Sequence, residues 1–379
     1  MISLKKVKKV KIKPGFSIVL EILFILVCIV VGLFLFYKKE INDLTKLGYS
    51  EVASHNILFA KQKSYVVSVG ENATLNKVFE ENNYKEEYLD QYRKINYVDQ
   101  KHFISNIHKL LKKGYSTNDI NIIFAHGDDA SVSRFAERDK IRYLEEFFTV
   151  DYAKLDNYDR YVQYSDDTGE DEDTTVLYVN LNLDKEDYTE STLVSKFSLD
   201  MLVNKHRHLS EDFVPDDLVT IDSAYASSDD LQSSRLAFNA FKEMSDAAEK
   251  EDYHLVINSA YRSYQDQVDL CDYYTKVYGE NYVTRYVARA GYSEHQTGLA
   301  FDIGSRSVNV FANSKEYIWM QENAYKYGFI YRYTKQYEGI TGFRHEAWHY
   351  RYVGKEIATY IHEHHDMSLE EYWAIFLDK

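Results

Sequence analysis

The stretch Ser293-Glu-His-Gln-Thr-Gly-Leu-Ala-Phe-Asp302, taken with Glu346-Ala-Trp-His349 further along, decides how this chain is read. His295 and Asp302 have six residues between them, and Glu346 stands three residues before His349. Two imidazoles and one carboxylate are sufficient protein ligands for a hydrolytic zinc site with an open fourth position, and one carboxylate is left over to act as a base. A second wiring competes, because His345-Glu-Ala-Trp-His349 also fits the H-E-x-x-H pattern of helical zinc peptidases, with Glu370 or Glu371 as third ligand. The flanking segments Gly339-Ile-Thr-Gly-Phe343 and Tyr350-Arg-Tyr-Val-Gly354 favour strand and turn over a zinc helix. The preferred wiring therefore takes His295, Asp302 and His349 as ligands and Glu346 as base, leaving His345 outside the site.

Those two segments match the S-x-H-x-x-G-x-A-x-D and E-x-W-H signatures of a known family, and the chain resembles the VanY-type D-alanyl-D-alanine carboxypeptidases of the lysostaphin, carboxypeptidase and hedgehog group. Further segments carry the likeness: Leu202-Val-Asn-Lys205 with Pro215-Asp-Asp-Leu-Val219, Ser259-Ala-Tyr-Arg-Ser-Tyr-Gln-Asp-Gln267, and Gly328-Phe-Ile-Tyr-Arg-Tyr333. Together they span roughly residues 200–365 in the family's order, a domain-sized match. Ala290, Thr334 and Ala347 stand where the family usually has proline. The resemblance implies a zinc-dependent enzyme that removes the terminal D-alanine from peptidoglycan stem peptides. The alternatives are an L,D-carboxypeptidase acting on tetrapeptide stems and a non-catalytic cell-wall-binding domain.

In the catalytic reading, Glu346 takes a proton from the attacking water and returns it to the leaving amine. Arg262 ends an apolar run, His254-Leu-Val-Ile-Asn-Ser-Ala260, that reads as a buried strand, so its guanidinium is expected at the cleft, where it stabilises an oxyanion. An ordinary salt bridge is the competing role for a lone arginine. The resemblance further implies that Gln267, Ser293 and Tyr333 hold the substrate's terminus. His102, His108, His126, His206, His208 and His254 are expected to be structural. The run His362-Glu-His-His-Asp366 reads as a solvated helix end rather than a second metal cluster.

Lys5, Lys6, Lys8, Lys9, Lys11 and Lys13 precede a largely apolar 22-residue stretch, Phe16 to Tyr37, which Lys38 and Lys39 follow. That length spans a bilayer, and six lysines ahead against two behind favour a cytoplasmic N-terminus with the catalytic domain extracellular. A cleaved signal peptide is the rival, disfavoured by the length of the stretch and the absence of a small-x-small site before Tyr37. Beyond residue 39 the chain holds 37 basic and 59 acidic side chains, a formal net charge of −22, which argues against nucleic acid as a partner. Cys28 and Cys271 fall on opposite sides of the membrane boundary and cannot staple the ectodomain.

Between anchor and peptidase, Leu47-Gly-Tyr-Ser50, Asn83-Tyr84 and Lys113-Gly-Tyr-Ser116 recur 31–35 residues apart, suggesting stacked helical units. Such a domain would be a stalk, or a module for protein or wall contact. The acidic run Ser165-Asp-Asp-Thr-Gly-Glu-Asp-Glu-Asp173 reads as a linker, and Thr174-Thr-Val-Leu-Tyr-Val-Asn-Leu-Asn182 alternates like a strand. The expected organisation is a basic cytoplasmic tail over 1–15 and an anchor over 16–37. A helical extracellular domain over 40–164, an acidic linker and strand over 165–195, and an α+β peptidase domain over 196–379 follow. In that last domain the zinc lies on an antiparallel sheet flanked by helices.

Overall fold

The computed structural model describes residues 14–141, 144–365 and 367–378. The six N-terminal lysines of the expected cytoplasmic tail, and Asp366 of the histidine run, lie outside the described residues. The chain divides into two compact units, the first ending at Phe148 and the second comprising Thr149–Lys379.

The described part of the first unit starts with one helix, Pro14–Lys46, exposed from Ile18 to Lys39 and covered in its last turns, where Ile41 and Leu44 are buried. Among the described residues it is the one helix long and apolar enough to cross a membrane. Short helices follow. Ser50 and Ser116 cap two of them, their hydroxyls accepting from Ala53 N at 3.1 Å and Asp119 N at 3.0 Å, while the adjoining Tyr49 and Tyr115 are buried. Asn83-Tyr84 leads instead into a single 3₁₀ turn, Glu86–Tyr88, so the three signatures are not equivalent. Helices and loops 25–27 residues apart are tied by Ser50 N to Asn76 Oδ1, Asn96 N to Asn121 Oδ1, Gln100 Nε2 to Gly127 O and Asn106 Nδ2 to Ser133 Oγ.

The second unit corrects one element of the sequence reading. Residues expected as an acidic linker and strand form two helices, Tyr158–Thr168 and Glu172–Asn180. Asp171 caps the latter by accepting from Thr174 N at 2.8 Å, and Glu172 and Asp173 favour its positive end. Its buried residues, Thr175, Val176, Val179 and Asn180, follow a helical spacing that the apparent alternation disguised. Leu177 and Leu181 then join a cluster with Leu202, Ile330, Ile361 and Leu369, so this segment packs on the peptidase core rather than linking to it. The only strand found within 165–195 is the two-residue Thr192–Leu193, paired in parallel with Arg207–His208.

Four strands form the main sheet in the order Leu255–Ser259, Ala300–Ser305, His349–Tyr352, Phe329–Tyr331, all antiparallel to their neighbours. Side chains alternate across it. Phe301, Ile303, Phe329 and Tyr350 point to one face, where Phe241 of the Arg235–Glu249 helix and Trp319 and Met320 of the Lys315–Asn323 helix cover them. Phe241 meets Phe301 edge to face at 5.7 Å. This apolar layer fixes the register, because a one-residue slip would send Phe301 and Ile303 out of the core. The opposite face carries Asp302, His349 and Arg351 beside Ala300 and Ile330, and the site is built there.

Candidate active site

Asp302 and His349 are directly paired across the two central strands, and Asp302 is also paired with Ser259, three residues before Arg262. The sheet's alternation puts both side chains on the polar face. His295 arrives from a 3₁₀ turn, Glu294–Thr297, that ends at Gly298 in the left-handed region, φ +67. A Cβ at Gly298 would lie 2.9 Å from Ser234 N, so backbone strain and backbone contact both demand glycine there. The close return into the Ala300–Ser305 strand is what lets six intervening residues bring His295 beside Asp302.

His295 Nε2 lies 3.4 Å and His349 Nδ1 3.2 Å from Asp302 Oδ1, and the three ligand atoms fall within 4.8 Å of one another. Among the described residues this is the one group of three or more such side chains able to hold a metal ion. The cluster fits a metal on its own geometry. Asp302 Oδ1 is buried without a hydrogen bond. His295 Nδ1 bonds the Ala260 carbonyl at 2.7 Å, which assigns the proton to that nitrogen and leaves an Nε2 lone pair facing the cluster. His349 Nε2 bonds the Glu294 carboxylate at 3.2 Å, which likewise frees Nδ1. Burial, seconded by Arg262, pushes His295 down to about 4. At His349 burial is outweighed by the neighbouring Asp302 and Glu294 carboxylates, which raise it to about 9.

Behind the cluster stands a charge network that sequence reasoning did not anticipate. Glu294 accepts from Arg332 Nε at 2.8 Å and Arg351 Nη1 at 3.2 Å, and Arg332 reaches both oxygens of Glu370 at 2.9 and 2.6 Å. All four side chains are fully enclosed and their formal charges cancel. Burial alone would raise the Glu294 carboxyl, but the two guanidinium groups hold it well below the ordinary range, so it stays ionised opposite His349. Glu370 is thus committed to Arg332, which removes it as a third ligand of the H-E-x-x-H wiring. His345 bonds the Tyr331 hydroxyl, and residues 344–348 form no helix. Carboxylate, histidine and metal position in a line is the arrangement that orients a ligand ring and raises its basicity. Replacing Glu294 by Ala should lower metal affinity about 10–100-fold. It should also destabilise the fold by about 3–5 kcal/mol, since two buried guanidinium groups lose their shared counter-charge. Metal titration and denaturant unfolding of the variant measure the two effects; unchanged values in both would refute this role.

Arg262, Gln267, Ser293, Tyr333 and Glu346 line one cleft of about 450 Å³ with the cluster. Glu346 Oε2 lies 3.8 Å from His349 Nδ1, and burial pushes its carboxyl up to about 7, against the opposing pull of His349. Its loop is held by Glu346 N donating to Tyr333 O at 3.0 Å and by His349 N donating to Glu346 O at 3.2 Å. Arg262 Nη2 stands 3.6 Å from Asp302 Oδ2, while its Nη1 donates to Gln267 Oε1 at 2.6 Å. Gln267 Nε2 in turn donates to Ala288 O at 2.7 Å, so both ends of that amide are engaged by the protein. Ser293 is buried at the start of the 3₁₀ turn, its hydroxyl accepting from His295 N at 3.4 Å. The Tyr333 ring packs against His349 with centroids 4.7 Å apart.

The histidines expected to be structural have partners of that kind. His102 pairs with Asp129, His108 bonds the Tyr92 hydroxyl, His208 bonds Ser191, and His254 pairs with Glu249. His206 is buried 3.9 Å from Asp187, and His126 packs on Phe148. In the C-terminal run, His362 and His364 stack on Tyr325 and Tyr360, each at 3.8 Å.

Residues 231–355 match the family VanY, D-alanyl-D-alanine carboxypeptidase. The chain is 44% identical over 180 residues to the putative carboxypeptidase YodJ of Bacillus subtilis, covering 45% of this chain and 66% of that protein. It is 38% identical over 140 residues to a D-alanyl-D-alanine carboxypeptidase of Enterococcus faecalis, covering 35% and 52%. A solved structure of a vancomycin-resistance D,D-pentapeptidase VanY variant in complex with Zn(II) is 32% identical, covering 47% of this chain and 99% of that one, with a TM-score of 0.41. The chain thus spans between about half and two thirds of the length of these two curated relatives. With the matched stretch running from before Arg262 to beyond His349, the chain belongs to the VanY-type D-alanyl-D-alanine carboxypeptidase family.

Proposed function

We propose that this chain is a zinc carboxypeptidase that removes the terminal D-alanine from peptidoglycan stem peptides, acting as a D,D-carboxypeptidase. The observation that carries this reading is the convergence of His295, Asp302, His349, Glu346 and Arg262 on one cleft. His295 Nε2, Asp302 and His349 Nδ1 would hold the metal, which when bound supplies Lewis acidity that makes water nucleophilic at neutral pH. Glu346, unpaired by any cation other than the cluster itself and with its pKa near 7, accepts the proton of that water and delivers it to the departing amine of D-alanine. Arg262 offers its guanidinium to the oxyanion of the tetrahedral intermediate. Gln267, with both ends of its amide engaged, acts by holding Arg262 in place, a positioning role where the resemblance implied a substrate contact. Ser293 and Tyr333 line the pocket where the substrate terminus would rest.

The Pro14–Lys46 helix supports a single-pass anchor, and the lysine asymmetry around it favours an extracellular catalytic domain. In that setting the first unit serves as a stalk or a wall contact, and the substrate lies within reach of a tethered enzyme. Incubating the full-length protein with synthetic stem peptides tests the reaction. A pentapeptide ending in D-alanyl-D-alanine should release one equivalent of alanine, and the tetrapeptide product should resist further trimming. Release from the tetrapeptide alone would assign L,D-specificity, and release from neither would leave a wall-binding domain.

A further inference from the structure

We propose that a row of tyrosines leading out of the cleft is a binding track for the glycan strand to which the stem peptide is attached. The inference rests on the reading above and deepens it by naming the second part of the substrate. Tyr274 and Tyr278 are one turn apart on the Tyr264–Tyr278 helix, and Tyr282 and Tyr286 one turn apart on the Glu280–Tyr286 helix. Gly279, at φ +82, makes the bend between the two helices. Tyr282 therefore lies against Tyr278 at 4.7 Å and Tyr274 at 5.9 Å, and Tyr286 continues the row at 4.7 Å, with neighbouring planes 25–30° apart. Tyr274, Tyr282 and Tyr286 form a wall of the same cleft as the metal cluster, and Tyr278 extends the row beyond it.

A core role does not account for this row. Tyr278 is 58% exposed and Tyr286 41% exposed. Four near-parallel rings, two half-buried and two exposed, three of them on the cleft wall, form an amphipathic surface of the kind that marks binding sites. Its ligand should be extended and uncharged, with apolar ring faces and many hydroxyl or amide groups. In peptidoglycan the muramic carboxyl is consumed in its amide to the stem peptide, so a strand of N-acetylated hexosamines has those properties. A polyanion is disfavoured by the charge of −22 beyond residue 39. A cleft of about 450 Å³ has room for little more than the scissile end of the peptide, so the glycan-proximal part must lie outside it. Because glycan and peptide are one molecule, contact with the row becomes intramolecular once the peptide terminus is seated, and adds to its affinity.

The test compares alanine release by the full-length protein from a free stem pentapeptide and from the same peptide carried on its N-acetylglucosaminyl-N-acetylmuramoyl disaccharide. The wild type should show kcat/KM about tenfold higher on the disaccharide-linked peptide, by analogy with ring stacking on aromatic side chains. Tyr278→Ala should abolish that advantage while leaving the free peptide within about twofold, and Tyr278→Phe, which keeps the ring, should retain most of it. Equal wild-type rates on both substrates, or equal losses on both in Tyr278→Ala, would overturn the proposal. Binding of a neutral N-acetylglucosamine tetramer, followed by chemical-shift changes, is measured alongside. If neither peptide is cleaved, the carboxypeptidase reading falls, and tetramer binding that Tyr278→Ala abolishes still upholds the track, whereas no binding removes it too.

Discussion

Alanine substitution of His295, Asp302 or His349 is expected to abolish stoichiometric zinc and reduce alanine release to background, whereas His345→Ala should retain both. The expectation follows from which nitrogens are free. His295 Nε2 and His349 Nδ1 face the unpartnered Asp302 Oδ1, while His345 Nε2 is engaged by the Tyr331 hydroxyl and its backbone amide donates to Glu338 at 3.0 Å. Removing one of three protein ligands leaves an incomplete site; removing His345 costs one hydrogen bond, about 1 kcal/mol of stability. Metal analysis of the purified variants decides the matter. Zinc retained in His295→Ala but lost in His345→Ala would restore the helical wiring.

The cluster of His295, Asp302 and His349 was legible in the chain because each member sits in a short local frame. His295 and Asp302 are joined by one turn and one strand, and Glu346 and His349 by one turn. Glycine, aromatic and β-branched residues around His345 spoke for strand and turn against a long zinc helix, and residues 344–348 form no helix, although Glu338–Thr341 makes a short helical turn just before them. The network behind the ligands was not legible in the same way. Glu294 stands next to His295 in the quoted motif, yet its partners Arg332 and Arg351 are 38 and 57 residues away, and no local pattern reports that a charge will be enclosed. Arg332 could have been suspected only from its place in an otherwise apolar and aromatic run, Gly328-Phe-Ile-Tyr-Arg-Tyr333. The Glu172–Asn180 helix was misread for a different reason: its β-branched and aromatic residues resemble a strand, and the deciding signal was the capping aspartate ahead of them.

Glu346→Gln is expected to keep zinc bound and to lower turnover by about 10²–10⁴-fold, the usual loss for a general base. The same substitution should stabilise the metal-free protein at alkaline pH. The Glu346 carboxyl is raised from 4.5 to about 7, chiefly by burial. A carboxyl that holds its proton more tightly folded than unfolded costs no stability below 4.5, costs progressively more as the pH climbs toward 7, and exerts its full penalty above that. Glutamine, which does not ionise, escapes that penalty. After zinc is removed by chelation, Glu346→Gln should therefore unfold at a higher temperature than the wild type at pH 8, and the two curves should converge near pH 4. Lost turnover together with a gain in stability separates a catalytic carboxylate, kept in an unfavourable place for its chemistry, from a structural one, whose loss would weaken the fold. Near-normal turnover, or a lower unfolding temperature at pH 8, would remove Glu346 from the role of base.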